Sequence, residues 1–477
     1  MTAAVPGTDR PEPSLPRRLL NLAAPLFIAQ IAVTANGVID TIMAGRVSAV
    51  DVAAVGLGAS IYVSVHVALM GILLALVPIC ARHFGAGRDG EIAAEIRQGI
   101  WLALLIAVPG CLALGAADPW LRLAAPPEAV AEIVRPYLLA VAIGLPAALL
   151  FRVFHALAVS TGQPRLVMAL NLAALSLKIP ANALFMHGLS WQGTPLVPAL
   201  GGAGCAVATA LITWLTLLAA VVLTARHSRL RGYRIFKMQA PEGGRLLKLL
   251  KLGLPIGLTQ LVEVTAFTFM AIFLAHTGAV IAASHQIAAT SAAFSYMVAL
   301  SIGLATSTLA AHAIGARDEY RARQTAIGGL RIALLASSLV SIALFALREP
   351  LSEVFSTEPM VRQQARMLLA WVALFHFLDS LQTQLTMILR AWQVTARPAL
   401  IHGIALWGIG LGAGWWLGIE LAGPGGPLDG RLGQATAFWL AGCASLALAS
   451  VGLARLLQTT WRVGPGPGTG RSIGPMR

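Results

Sequence analysis

Charge is scarce in this chain. Asp, Glu, Lys and Arg make up 11% of its 477 residues, whereas 57% are hydrophobic, and mean hydropathy is +0.77. A soluble domain carries about 25% charged residues, so a large water-soluble core is excluded. Cysteine is scarce too. Cys80, Cys111, Cys205 and Cys443 stand singly in apolar runs, which excludes a disulfide framework or a zinc knot and leaves them as small packing residues. No His-x-Glu cluster, Gly-x-Ser-x-Gly elbow or phosphate loop occurs, so the chain does not read as an enzyme. A signal peptide is also missing: the first 16 residues are polar and Pro-rich, and the first apolar run is too long. The net charge of +14 does not point to nucleic acid, because it lies in short segments between apolar runs.

Those apolar runs dominate what is there. Twelve are expected to span a bilayer: 19–43, 52–81, 96–117, 134–157, 166–187, 203–225, 252–274, 280–311, 326–347, 367–389, 399–419 and 434–458. Each is long enough to cross as a helix. Backbone groups in hydrocarbon must bond internally, and continuous runs without period-2 alternation exclude a barrel. The expected fold is therefore an all-α polytopic membrane protein. Lys and Arg orient it: the run from Arg226 to Lys251 and smaller clusters at both ends fall on the side of the N-terminus. Both termini are then cytoplasmic and the protein lies in the inner (plasma) membrane.

The chain repeats itself at the spacing that separates Pro25 from Pro255. Leu22-Ala-Ala-Pro25-Leu-Phe-Ile-Ala-Gln30 aligns with Leu252-Gly-Leu-Pro255-Ile-Gly-Leu-Thr-Gln260, and Gly85-Ala86 aligns with Gly315-Ala316. An even number of helices per repeat gives two six-helix bundles related by a pseudo-two-fold axis along the membrane normal, with a cleft between them. The expected division is an N-terminal tail (1–16), an N-lobe (17–225), a basic linker (226–251), a C-lobe (252–458) and a disordered tail (459–477). The linker reads as a solvated connector.

Three acids sit well inside apolar runs: Asp40 in the first, Glu263 in the seventh and Asp379 in the tenth. Lys178 lies in the middle of the fifth. A carboxylate inside a spanning helix costs roughly 2.5–3.5 kcal/mol, so each needs a cation, a proton or a basic partner. None has an acidic twin in the other repeat, so they are not scaffold features. Asn36 and Asp40 stand at i, i+4; His376, Asp379, Thr383 and Thr386 form one helical stripe, so His376, unlike the other lone histidines, shares a face with an intramembrane acid. Pro25 and Pro255 lie inside helices and permit kinks.

These residues resemble a known family. Val38-Ile-Asp40-Thr-Ile-Met-Ala-Gly-Arg-Val-Ser48, Gly253-Leu-Pro255 followed by Glu263-Val-Thr265, Ser284-His-Gln-Ile-Ala288, Ile179-Pro-Ala-Asn182 and Pro198 to Thr209 resemble signatures of the multidrug and toxic compound extrusion (MATE) family, NorM-type branch. The likeness covers all but the tails. It implies a V-shaped pair of lobes and a monomeric antiporter that expels small organic cations in exchange for Na⁺ or H⁺, among membrane lipids and with no cofactor. It also implies that Asp40, Glu263 and Asp379 are the cation-coupling and substrate carboxylates, with transient Na⁺ at Glu263 and Asp379, and that Asn182 is a polar residue beside Asp40. Many sequences of this type have asparagine where this chain has Lys178. An ammonium there could stand in for a bound cation, so an Asp40–Lys178 ion pair is expected.

Two other readings fit less well. A lipid-linked saccharide exporter of the same superfamily would favour a basic cleft, against three acids and one lysine. A polytopic membrane enzyme would need clustered catalytic groups that are missing.

Overall fold

The computed structural model describes residues 13–191, 194–237, 239–429 and 431–463. It is helical nearly throughout. Pro16 opens α1 (Leu15–Gly45), since proline at the first turn lacks only an N–H that has no partner there, and the helix continues across the interior Pro25. Ser48 caps α2 (Ala49–Leu73) by accepting from Asp51 N–H. After a break at Leu74 and Ala75, α3 (Leu76–Gly85) completes the second crossing. The first half continues through α4 (Asp89–Gly115), the short α5 (Ala117–Ala124), α6 (Glu128–Ser160), α7 (Pro164–His187) and α8 (Gly202–Arg226). A two-stranded hairpin, β1 (Leu189–Trp191) and β2 (Thr194–Val197), lies between α7 and α8. It is a small departure from the expected all-helical chain.

A short α9 (Ser228–Arg231) leads to the second half. This comprises α10 (Gly243–Ala275), α11 (Ala279–Gly315), α12 (Glu319–Ala346), the short α13 (Arg348–Phe355), α14 (Pro359–Ala391), α15 (Ala396–His402) and α16 (Gln434–Val463). Beyond α15 the backbone winds into wide π-helical turns over Gly403–Ala413 and Trp416–Leu421. Each half thus has six crossings, with a short helix, α5 or α13, after the third. Among the described residues, eleven helical stretches are long and apolar enough to span a membrane. The twelfth, α14, is 33 residues long but carries too many polar groups to qualify by composition, and packs against α11, α12 and α16.

The halves meet where backbones approach closely. A Cβ on Gly71 would lie 2.4 Å from Gly257 Cα, one on Gly85 1.9 Å from His312 O, and one on Gly315 1.9 Å from Arg82 O. Only glycine permits these crossings. The Arg82 guanidinium donates twice to Ala391 O (2.9 and 2.7 Å), and His312 Nε2 lies 2.7 Å from Ser160 O. These contacts close the molecule on the face that carries the linker.

The linker is exposed along most of its length but is anchored to α4. Trp101 Nε1 donates to Gln239 O (2.8 Å), Arg97 to Lys237 O (2.9 Å) and Gln98 Nε2 to Ala240 O (3.1 Å), while Gln98 Oε1 accepts from Glu242 N–H (2.9 Å). Arg245 bridges Glu91 (2.9 Å) and Glu95 (3.1 Å). The buried Gln98 amide satisfies the linker backbone, which is why this stretch lies down on α4. The end of the linker is also helical, because α10 begins at Gly243. The expected disordered tail needs correction as well: residues 459–463 belong to α16. Trp461 packs on Trp392 with ring centroids 5.8 Å apart, and its carbonyl accepts from Arg323. The remainder of that tail, and most of the N-terminal one, lies outside the described residues.

Candidate functional site

Two polar centres lie among the spanning helices, one in each half. In the first half, α1 presents Asp40 to α7. Lys178 Nζ is 2.8 Å from Asp40 Oδ1, and Asn182 Nδ2 donates to the same oxygen at 2.7 Å. Lys178 and Asn182 stand one turn apart on α7, so both reach one carboxylate. The ammonium also donates to Thr209 Oγ1 and lies 3.5 Å from Cys205 O, both on α8. Lys178 is 2% exposed and Asn182 fully buried. A buried lysine needs such a partner, since an unpaired charge is strongly destabilising there. Asn36 does not join the cluster. Its amide donates to Ala32 O in its own helix at 2.9 Å.

A second acid in this half, Asp51, has a different task. It accepts from the Ser48 hydroxyl and from Gly202 N–H at the start of α8. It therefore ties two helix starts together.

In the second half, α10 presents Glu263 and α14 presents Asp379, close enough for their charges to repel. Among the described residues Asp379 has no ion pair or hydrogen bond. Glu263 Oε1 lies 3.5 Å from His402 Nε2. His402 Nδ1 is 3.1 Å from Pro398 O, one turn back on α15, and 3.2 Å from Gln382 Nε2, so this nitrogen meets one acceptor and one donor while Nε2 faces Glu263. Tyr296 of α11 is within electrostatic reach of both acids. Arg390 is buried and acts electrostatically on Glu263 without pairing with it.

His376 is 1% exposed, and neither ring nitrogen has a hydrogen-bond partner. No hydrogen bond joins it to Asp379, although the two stand three residues apart on α14.

One turn from the acids on the same helix faces stand aromatic rings: Phe267 follows Glu263 by four residues, and Phe375 precedes Asp379 by four. Together with Trp439 they form an edge-to-face cluster, with centroids 5.2 Å apart for Phe375–Trp439 and 5.8 Å for Phe267–Phe375. They line a small cavity with Met270, Phe438 and Leu406.

Sequence reasoning missed Thr209, Tyr296, Gln382, His402 and Arg390. Arg390 falls one residue beyond the expected tenth span (367–389), while α14 runs to Ala391 and buries it. The others carry no charge pattern that marks them.

The fold and the two centres define an all-helical, multi-pass membrane protein built from an internal repeat, with ionisable groups buried in each half. The MatE family's sequence model matches the chain twice, over residues 25–184 and 255–416, the second match starting at the proline equivalent to the first. The chain belongs to the MatE family. Two relatives, both named "Probable multidrug resistance protein NorM", come from Aromatoleum aromaticum (36% identical, covering 93% of this chain and 94% of the relative) and Chromobacterium violaceum (38% identical, covering 84% and 86%). Among solved structures, the eukaryotic MATE transporter AtDTX14 superposes with a TM-score of 0.82 at 17% identity, over 94% of this chain and 96% of that one, which is a likeness of fold.

Proposed function

We propose that this chain is a secondary multidrug efflux antiporter of the inner membrane, with both termini in the cytoplasm, which exports small organic cations in exchange for Na⁺ or H⁺. It acts as a monomer among lipids and needs no cofactor beyond the coupling ion. The observation that carries the reading is the pair Glu263 and Asp379 beside the aromatic cluster of Phe267, Phe375 and Trp439. With both acids ionised and Arg390 protonated, this centre holds one uncompensated negative charge. A monovalent cation neutralises it. An aromatic amine can also lay its ring on the aromatic faces while its charge meets a carboxylate.

Exchange follows from competition. A carboxylate in a low-dielectric site attracts any cation strongly. Drug, Na⁺ and proton therefore exclude one another, and rocking of the two halves exposes the centre to one side at a time. His402 Nε2 stands 3.5 Å from Glu263 Oε1, so a second titratable group adjoins any proton held there, which suits the H⁺ route. The relatives' names, which speak of multidrug resistance, agree with this reading. The alternative of a saccharide exporter is not favoured, since the relatives named are drug-resistance proteins and the centre's net charge is negative.

The test is a competition titration. A fluorescent organic cation should bind the purified protein and be displaced by Na⁺ or by acid. Glu263→Gln combined with Asp379→Asn should abolish binding in a folded protein. Undiminished binding in that double variant would refute the assignment.

A further inference from the structure

Lys178 is surrounded as a small hard cation would be. Its ammonium has three hydrogens to donate and no acceptor. Around it stand three oxygens: Asp40 Oδ1 at 2.8 Å, Thr209 Oγ1, and Cys205 O at 3.5 Å. The Thr209 hydroxyl donates its own hydrogen to Cys205 O at 2.7 Å, so its lone pairs are left for the ammonium. Asn182 Oδ1 is buried with no partner. Rotation of that amide would exchange the nitrogen that now meets Asp40 Oδ1 for this oxygen. A carboxylate, a hydroxyl, a carbonyl and an amide oxygen make a donor set typical of hard-cation sites. Among the described residues no lysine pairs with Glu263 or Asp379; Glu263 has His402 at 3.5 Å instead.

We propose that the Lys178 ammonium is a tethered cation that fills this oxygen cage, so the first-half centre binds no Na⁺ and Lys178 is the residue that fixes this chain's ion specificity. Exchangeable cations are confined to Glu263 and Asp379. The consequence for transport rests on the antiport reading; the occupancy of the cage does not. Shortening and neutralising the side chain as Lys178→Asn empties the cage and leaves its oxygens in place, so the variant gains a Na⁺ site that uses Asp40.

The test is equilibrium binding of radiolabelled Na⁺ to the purified full-length protein in detergent, with folding followed by thermal melting. Lys178→Asn should bind one more Na⁺ per molecule than the parent, and adding Asp40→Asn should remove the gain. A folded Lys178→Asn protein with unchanged stoichiometry would overturn the proposal. A second comparison does not depend on that variant folding. Replacing the pair together, as Asp40→Asn with Lys178→Met, removes both charges and should leave Na⁺ stoichiometry equal to the parent's. Loss of a site in that double variant would show that the parent binds Na⁺ at Asp40, and would also overturn the proposal. Failure of the antiport reading itself would appear separately, as absent ion-driven flux with these stoichiometries intact.

Discussion

Arg82 and His312 occupy equivalent places in the two repeats, and each reaches across to a carbonyl of the opposite half. Arg82 donates to Ala391 O, and His312 Nε2 engages Ser160 O. Three residues on from each, Gly85 and Gly315 let the chains cross so closely that a methyl group has no room.

Gly85→Ala and Gly315→Ala should therefore push the halves apart on the linker face. Spin labels at the exposed Arg88 and Arg317 should report a longer distance in either variant than in the parent. Equal distances would mean that the crossing does not hold this face shut.

The Asp40–Lys178 pair should behave as a coupled unit. Asp40→Asn alone strands a buried ammonium, at a cost of about 3–5 kcal/mol. Removing both charges, as Asp40→Asn with Lys178→Met, should recover most of that. Melting in detergent across the four proteins of the double-mutant cycle measures the coupling; simple additivity would show that the two residues do not depend on each other.

Much of this was legible in the sequence, for physical reasons. Eleven of the twelve expected crossings are helices long and apolar enough to span among the described residues, since hydrocarbon allows little else; the tenth, α14, is as long but more polar. The repeat came from Pro25, Pro255, Gly85 and Gly315, residues whose backbone demands recur in both halves. Asp40, Glu263, Asp379 and Lys178 stood out because charge is rare here. Other features depend on tertiary contact. Gln98 and Trp101 read as ordinary helix residues until the linker lies on them. His402 becomes a partner of Glu263 only once α15 packs on α10. The stripe on α14 sets His376 and Asp379 on one helix face, yet both His376 nitrogens stay without a partner, because a shared face does not fix the rotamers.

Aromatic contact should contribute to substrate binding. Phe267→Leu keeps an apolar side chain of similar bulk but removes a π face beside Glu263. Affinity for an aromatic cation should fall by about 1 kcal/mol, roughly fivefold in Kd, while an aliphatic ammonium of similar size should be little affected. Dye titration with both classes of ligand separates the outcomes; equal losses would point to a packing defect instead.

The linker should loosen when Gln98 is lost. Gln98→Ala leaves Ala240 O and Glu242 N–H without their partners, at roughly 1–3 kcal/mol for each group that stays buried. Hydrogen exchange should accelerate at Glu242 and its neighbours, with the transmembrane helices unchanged. Unaltered exchange would show that the docked linker is held by other contacts.

The most direct test of cation-coupled efflux uses the purified protein in liposomes loaded with a fluorescent organic cation. A Na⁺ gradient and, separately, a pH gradient are imposed. Efflux should follow at least one of them and vanish in Glu263→Gln and in Asp379→Asn, with both variants folded. A folded parent protein that moves no dye under either gradient, or acid variants that move it undiminished, would contradict the antiport mechanism.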